Sequence, residues 1–197
     1  MAVTTEMVKK LRAMTNAGMM DVKRALEDAG GDLDKAAQLL RERGIAKADK
    51  KAEREAKEGV VGTYVHHNGK LAVLVEVNSE TDFVARNDVF KDLARNLAMH
   101  VAMANPQYVR REDVPEDIVA AEREALRKQA LEEGKREAVA EKIVEGRLGK
   151  FFAETVLLEQ PYIKDDKKTV GDLVKEVAAT LGENIQVGRF ARIAVGE

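Results

Sequence analysis

The stretch GVVGTYVHHNGKLAVLVEVN, residues 59–78, decides the fold class. Its two halves are rich in valine, and Asn68-Gly69 separates them. Asn-Gly is the strongest short signal for a β-hairpin, because both central residues of a type I′ turn need a positive φ. In the second half, alternate apolar residues share one face of the strand, while Ala72 and Leu74 lie on the other. We therefore predict a hairpin in a sheet that is covered on both sides.

Helical patterns flank this hairpin on both sides. Residues 1–44 contain three short ones, and residues 22–29 show the i, i+3, i+4, i+7 apolar stripe of an amphipathic helix. Further helices are predicted after the hairpin, two of them starting near Pro115 and Thr169. The alternating run NIQVGRFARIAV, residues 184–195, predicts a third strand. With three strands and no βαβ spacing, the simplest sheet is antiparallel, with helices packed against it.

The chain divides by composition into three parts. Residues 1–44 are predicted to form a three-helix bundle, and residues 59–197 an α+β core. The segment RERGIAKADKKAEREAKE, residues 41–58, overlaps the end of the bundle and contains seven basic and five acidic residues among eighteen. We interpret residues 45–58 as a charged linker helix. A basic arm for nucleic acid is disfavoured there, because charges of both signs are mixed.

Length, charge and cysteine content limit the possible functions. The chain has 197 residues, 33 Lys and Arg against 35 Asp and Glu, and no cysteine. The absence of cysteine excludes disulfides, thiolate chemistry and cysteine-based zinc sites. The absence of a basic excess predicts no direct binding of nucleic acid. No apolar run approaches the roughly 20 residues that span a bilayer, so we predict a cytoplasmic protein without a membrane partner.

Candidate catalytic groups are few. Glu80 and Asp82 lie near His66 and His67 in the sequence, and a hydrolase using these acids and a histidine remains an alternative. Adjacent residues of a strand point to opposite faces, however, so the two histidines are not expected to bind one metal ion. His100 lies on a predicted helix, where a surface or partly buried side chain is expected. The sequence has no HExxH, GxSxG, Walker A or GxGxxG motif, so we predict no enzyme, no metal and no cofactor.

Two adjacent methionines follow Gly18 between the first two predicted helices. Neighbouring residues do not easily both face a small core, so we expect at least one of Met19 and Met20 on the surface. An exposed methionine is an adaptable contact for an apolar surface of a partner. Simple packing of one methionine into the bundle is the alternative.

The sequence NSETDFVARN, residues 78–87, places Asp82 and Phe83 directly after a strand. Two interpretations remain open. In one, Asp82 caps the following helix and Phe83 packs beneath it. In the other, an apolar ring beside a carboxylate forms an exposed tip on a rigid sheet and helix.

Three stretches resemble the elongation factor Ts family. LRAMTNAGMMDVKRAL, residues 11–26, and EVNSETDFVAR, residues 76–86, resemble its two signatures, and residues 144–166 are similar to a further familiar stretch. The resemblance covers essentially the whole chain. One departure is Asn16, where the family pattern leads us to expect glycine. Because asparagine tolerates a positive φ better than most residues, we expect the turn to survive.

This resemblance implies a guanine-nucleotide exchange factor for EF-Tu, the GTPase of translation elongation, bound both with GDP and free of nucleotide. Thr81, Asp82, Phe83 and Val84 would form the tip that enters the GTPase near its nucleotide site. Phe83 would act as a wedge between side chains of the partner. Asp82 would act on the region that holds Mg²⁺.

The resemblance also implies two further interactions. The N-terminal bundle, similar to ubiquitin-associated domains, would dock on the GTPase through Leu11, Met19 and Met20. The chain resembles the short members of the family, which are expected to form homodimers, with the strand around Phe190 as a suitable contact. The rival to the exchange function is a non-catalytic helical-bundle scaffold, whose binding would not depend on nucleotide.

Overall fold

The computed structural model describes residues 3–15 and 17–197. In these residues the chain forms eight α-helices and five β-strands, which confirms the predicted α+β class. The elements, in chain order, are α1 (Thr5–Thr15), α2 (Met19–Asp28), α3 (Leu33–Asp49), β1 (Glu58–Val65), β2 (Leu71–Ser79), α4 (Asp82–Ala85), α5 (Asp88–Ala104), α6 (Glu116–Glu132), α7 (Glu137–Thr155), β3 (Pro161–Tyr162), β4 (Asp165–Thr169), α8 (Val170–Leu181) and β5 (Ile185–Ala194).

The described chain forms two compact units. The first contains the residues up to Val60 together with Asn78–Leu93 and Val174–Gln186. The second contains Val61–Val77, Ala94–Leu173 and Val187–Glu197. Neither unit is one continuous segment, so each brings together residues that are far apart in the sequence.

In the first unit, α1, α2 and α3 form a bundle around six buried apolar side chains. These are Leu11, Val22, Ala25, Leu26, Ala36 and Leu40. Gly30 and Gly31 have positive φ values of 63° and 88° and lead the chain out of α2. Asp32 then caps α3, because its carboxylate accepts hydrogen bonds from the amides of Asp34 and Lys35, both at 3.0 Å.

The three-stranded sheet has the order β1–β2–β5 and is antiparallel, as predicted. The hairpin is confirmed, but the predicted type I′ turn is wrong: of the Asn-Gly pair, only Gly69 has a positive φ, at 69°. The amide of His66 donates to the carbonyl of Leu71, which leaves a four-residue loop. The side chain of Asn68 accepts a hydrogen bond from the amide of Lys70 at 3.0 Å, and this local bond replaces the tighter turn.

One face of the sheet is more open than the sequence suggested. Val73 and Val75 are buried, as the alternation predicts, but Leu74 between them is 51% exposed. Val61 and Val65 on β1 are also exposed. The prediction of a sheet covered on both sides is therefore wrong for a single chain. A strand rich in valine can have one buried face while its other face stays exposed to solvent.

The second unit contains a long helix and a small hairpin that the sequence patterns did not define. α7 is one helix from Glu137 to Thr155, and it packs Leu148 and Phe152 against Val114 and Val156. The hairpin of β3 and β4 was not predicted, because the strand DDKKT has no apolar alternation. Within the described residues, no helix is long and apolar enough to cross a membrane.

His100 is completely buried in the second unit, not partly exposed as predicted. Its Nδ1 accepts a hydrogen bond from the amide of Ile163 at 3.3 Å, so the ring proton lies on Nε2 and is donated to Oε1 of Gln160 at 2.9 Å. Gln160 in turn donates to the carbonyls of Ala104 and Glu154. The network therefore holds a neutral imidazole with both nitrogens in use.

This network predicts that the protein loses stability in mild acid. Burial lowers the pKa of His100, and the hydrogen bond with Gln160 opposes this only in part. Above the ordinary histidine pKa of about 6.5 both states are neutral. As the pH falls below that value, the unfolded chain binds a proton that the folded chain does not, so the free energy of unfolding decreases until the folded pKa is reached.

Urea unfolding between pH 7.5 and pH 5 measures this effect, and the midpoint should shift to lower urea. His100→Gln removes the titrating group, so its midpoint should change less over the same pH interval. His67→Gln, which alters an exposed histidine, is the matched control and should keep the wild-type slope. An equal pH slope in His100→Gln and wild type would exclude His100 as its source.

Candidate functional site

The tip, residues 81–84, begins where β2 ends at the buried Ser79. Thr81 is the N-cap of α4, and its hydroxyl accepts a long hydrogen bond of 3.4 Å from the amide of Val84. Ala85 at the other end of this short helix is buried. The tip is therefore fixed at both ends, and only the side chains between them are free to project.

Phe83 is 85% exposed. Asp82 is also exposed, and Val84 is half-buried. The interpretation in which Asp82 caps the helix and Phe83 packs beneath it is wrong, because the helix begins one residue earlier, at the Thr81 cap. That shift turns the aromatic ring away from the protein and into solvent.

The carboxylate of Asp82 has one close partner in its own helical turn. Oδ2 of Asp82 lies 2.9 Å from Nη2 of Arg86, and both side chains are at least half exposed. Exposed pairs at this spacing stabilise a protein by only about 0.3–0.5 kcal/mol. Asp82 can therefore exchange Arg86 for a group of a partner at little cost.

Thr81 is held by bonds to all of its polar atoms. Its amide donates to Oε2 of Glu183 at 3.0 Å, and its hydroxyl donates to Oε1 of the same carboxylate at 2.6 Å. Its carbonyl accepts from the Ser79 hydroxyl at 3.0 Å and from the amide of Ala85. The backbone immediately before the ring is thus rigid.

Glu80, the residue before Thr81, bonds to Asn184, the neighbour of Glu183, and to Arg54. Oε1 of Glu80 accepts from the amide of Asn184 at 2.6 Å, and Oε2 lies 3.4 Å from Arg54. The Asn184 amide and, secondarily, Arg54 lower the pKa of Glu80. A carboxylate in this state is ionised at neutral pH and poorly suited to donate a proton, which disfavours Glu80 as the acid of a hydrolase.

The two neighbouring histidines do not lie on opposite faces of a strand. β1 ends at Val65, so both histidines follow the strand. His66 closes the four-residue loop through its bond to Leu71, and His67 lies in that loop. Their ring centroids are 4.2 Å apart. Nδ1 of His66 lies 2.8 Å from the hydroxyl of Tyr64. Among the residues that the structure describes, no group of three or more His, Cys, Asp and Glu side chains could hold a metal ion.

The candidate docking residues of the bundle separate into two kinds. Met19 and Met20 are 57% and 62% exposed, in the first turn of α2 rather than in a loop. Leu11 is completely buried in the bundle core. Its side chain does not lie on the surface, so it supports the packing of the helices instead. The predicted turn at Asn16 lies outside the described residues.

The family model described as elongation factor TS matches residues 2–197 of the chain. The chain belongs to the elongation factor Ts family. Relatives named elongation factor Ts include the following three. The protein of Carboxydothermus hydrogenoformans is 58% identical over 99% of this chain and 90% of its own length. Those of Solidesulfovibrio magneticus and Thermosipho melanesiensis are 55% and 52% identical, and the alignments cover 98% and 100% of those proteins.

Membership of the elongation factor Ts family identifies a translation elongation factor. This is the same family that residues 11–26 and 76–86 resemble. Sequence reasoning missed Glu183 and Asn184, which hold the base of the tip. Glu183 is 102 residues away from Thr81 in the chain, and no local pattern signals a bond over that distance.

Proposed function

We propose that this protein is a guanine-nucleotide exchange factor for EF-Tu and acts in the cytoplasm, where that GTPase works in translation. The observation that carries the proposal is the 85% exposure of Phe83 on a rigidly held tip, in a chain of the elongation factor Ts family. An aromatic ring held in water does not stabilise its own protein. It is suited to become buried in a partner, where a phenylalanine gains roughly 1.5–3 kcal/mol.

The proposed mechanism is displacement without covalent chemistry. Phe83 enters between side chains of the GTPase, and Asp82 acts on the region that holds Mg²⁺. Mg²⁺ requires near-octahedral oxygen geometry and bridges protein to phosphates, so a small shift of its supporting loops weakens the bound nucleotide. No group on this chain needs to gain or lose a proton for that step.

The coupling is reciprocal by thermodynamic necessity. If this protein weakens the binding of GDP by a given factor, GDP weakens the binding of this protein by the same factor. The protein therefore binds both the GDP form and the nucleotide-free form of EF-Tu, and it binds the second more tightly. Arrival of fresh nucleotide then releases it.

The three parts of the chain have separate roles in this proposal. Residues 1–44 dock on EF-Tu, with Met19 and Met20 as surface contacts and Leu11 as core support. Residues 45–58 connect the bundle to the remaining chain, and residues 59–197 present the tip. The partner is a protein and not a nucleic acid, in keeping with a net charge of −2.

We also propose that two copies of the chain pair through β5. This strand lies at one end of the order β1–β2–β5, and Ile193 is 72% exposed. Phe190 on the same strand is half-buried. Sedimentation equilibrium should give a mass near twice 21.7 kDa, and Ile193→Asp should shift it toward the monomer. A monomeric mass at high protein concentration would refute the pairing.

Release of a fluorescent GDP analogue from EF-Tu tests the exchange function. Addition of this protein should accelerate release in proportion to its concentration, up to a plateau. The scaffold alternative makes a different prediction, namely binding to a partner with the same affinity whether or not nucleotide is present. Unchanged release at saturating protein, with nucleotide-independent binding, would favour the scaffold.

A further inference from the structure

The base of the tip is tied to a turn that follows a distant helix. α8 ends at Leu181, and Gly182, with a φ of 75°, turns the chain so that Glu183 points its carboxylate at Thr81. Both oxygens of Glu183 are used, one by the amide and one by the hydroxyl of Thr81. Glu183 itself is half-buried. All of these residues belong to the first unit.

The turn that carries Glu183 is itself anchored. The Asn184 side chain, which is 4% exposed, donates to the carbonyls of Ala52 at 3.2 Å and Arg54 at 2.6 Å. The ammonium group of Lys51 contacts the carbonyl of Gly182. Residues 51–54, which follow α3, therefore hold the turn, and the turn holds the tip.

We propose that Glu183 is a positioning residue for nucleotide exchange, which acts by fixing the direction in which Phe83 projects. This inference rests on the proposed exchange function. α4 has only four residues, and so short a helix cannot maintain its own geometry in water. The bonds from Thr81 to Glu183 supply the missing constraint, because they fix the N-cap from which the helix starts.

Loss of the Glu183 carboxylate affects GDP release from the docked complex more than it affects docking itself. Without Glu183, the amide and hydroxyl of Thr81 bond to water, and the ring occupies several orientations instead of one. The methionines on the bundle surface are unchanged, so docking on the GTPase continues. A smaller fraction of docked complexes then has the ring in the entering direction, which lowers the plateau rate of GDP release.

The test compares Glu183→Ala and Glu183→Gln in the fluorescent-GDP release assay at a series of protein concentrations. For Glu183→Ala the plateau rate should fall about tenfold, while the half-saturating concentration should change less than about twofold. Glu183→Gln keeps an acceptor for the Thr81 amide but loses the charge, so its plateau should fall about threefold. This graded order is not expected from a general loss of folding.

The matched control is Glu159→Ala. Glu159 also uses both carboxylate oxygens, which accept bonds of 2.7 and 2.6 Å from Arg111, but it belongs to the second unit. This variant removes an equivalent pair of bonds without affecting the tip, so its plateau rate should equal that of wild type. A loss equal to that of Glu183→Ala would overturn the positioning role.

A second readout follows the tip directly. Amide hydrogen exchange at Thr81 and Val84 should become faster in Glu183→Gln, a conservative change that is expected to fold normally. In a Phe83→Ala background, Glu183→Ala should cause a much smaller loss of exchange activity than it causes in wild type, because the carboxylate acts mainly through the ring. Additive losses, or unchanged amide protection, would overturn the inference.

Failure of this inference is distinguishable from failure of the proposed function. If wild type does not accelerate GDP release at all, the exchange function is wrong. If wild type accelerates release, Phe83→Ala does not, and both Glu183 variants behave as wild type, the exchange function stands and the role of Glu183 is refuted.

Discussion

Phe83→Ala is expected to reduce the acceleration of GDP release from EF-Tu by roughly 10- to 150-fold, the equivalent of the 1.5–3 kcal/mol gained on burying a phenylalanine ring. The ring is 85% exposed in the free protein, so its removal takes away almost no intramolecular packing. The free energy of unfolding should therefore remain within about 0.5 kcal/mol of wild type. A large loss of exchange with no loss of stability marks a side chain that acts on a partner.

Two further variants sharpen this measurement. Phe83→Leu retains apolar bulk but not the planar ring, so its loss of exchange should be intermediate. Met103→Ala removes a side chain that is 67% exposed and has no proposed role, and it should exchange at the wild-type rate. Wild-type acceleration by Phe83→Ala would remove the ring from the mechanism. An equal loss in Met103→Ala would show that exposed apolar area in general is responsible.

Gly62→Ala is expected to destabilise the second unit by about 3 kcal/mol, at the upper end of what overpacking usually costs. A methyl group at Gly62 on β1 would lie 2.2 Å from the carbonyl oxygen of Ala94 on α5. The obstacle is backbone, which cannot rotate away as a side chain does. The strand or the helix must therefore move. Urea unfolding of the purified variant measures the change in free energy.

Gly146→Ala is the matched control for this prediction. Gly146 lies in the interior of α7, is exposed, and has no atom within 4 Å of an added methyl group. Alanine favours a helix by about 0.8–1.0 kcal/mol over glycine, so this variant should be more stable than wild type. The same substitution thus has opposite signs at the two sites. Equal stability of the two variants would contradict the close approach of β1 to Ala94.

The hairpin shows how far local patterns predict structure. Alternating valines and the Asn-Gly pair located both strands correctly, because strand periodicity and turn preference are properties of neighbouring residues. The turn type was wrong because the side chain of Asn68 bonds to the amide of Lys70. The prediction that both faces of the sheet are covered was also wrong, as the exposed side chain of Leu74 shows. A sequence does not state whether another layer covers a strand.

The tip shows the same division at the candidate functional site. The motif in residues 76–86 located Asp82 and Phe83 and left two interpretations open. Exposure of the ring depends on which residue caps α4, and that residue is Thr81. The choice of Thr81 is reinforced by Glu183, which lies 102 residues further along the chain.

By itself, the sequence determined the family, the α+β class, the order of most elements and the place of the tip. All of these features depend on residues that are close together in the sequence, or on short sequence motifs. Only the tertiary structure decided that Leu11 is core, that Phe83 faces solvent and that Glu183 bonds to Thr81 at the base of the tip. Those outcomes depend on hydrogen bonds and packing between segments far apart in the chain, whose free energy appears only when the segments meet.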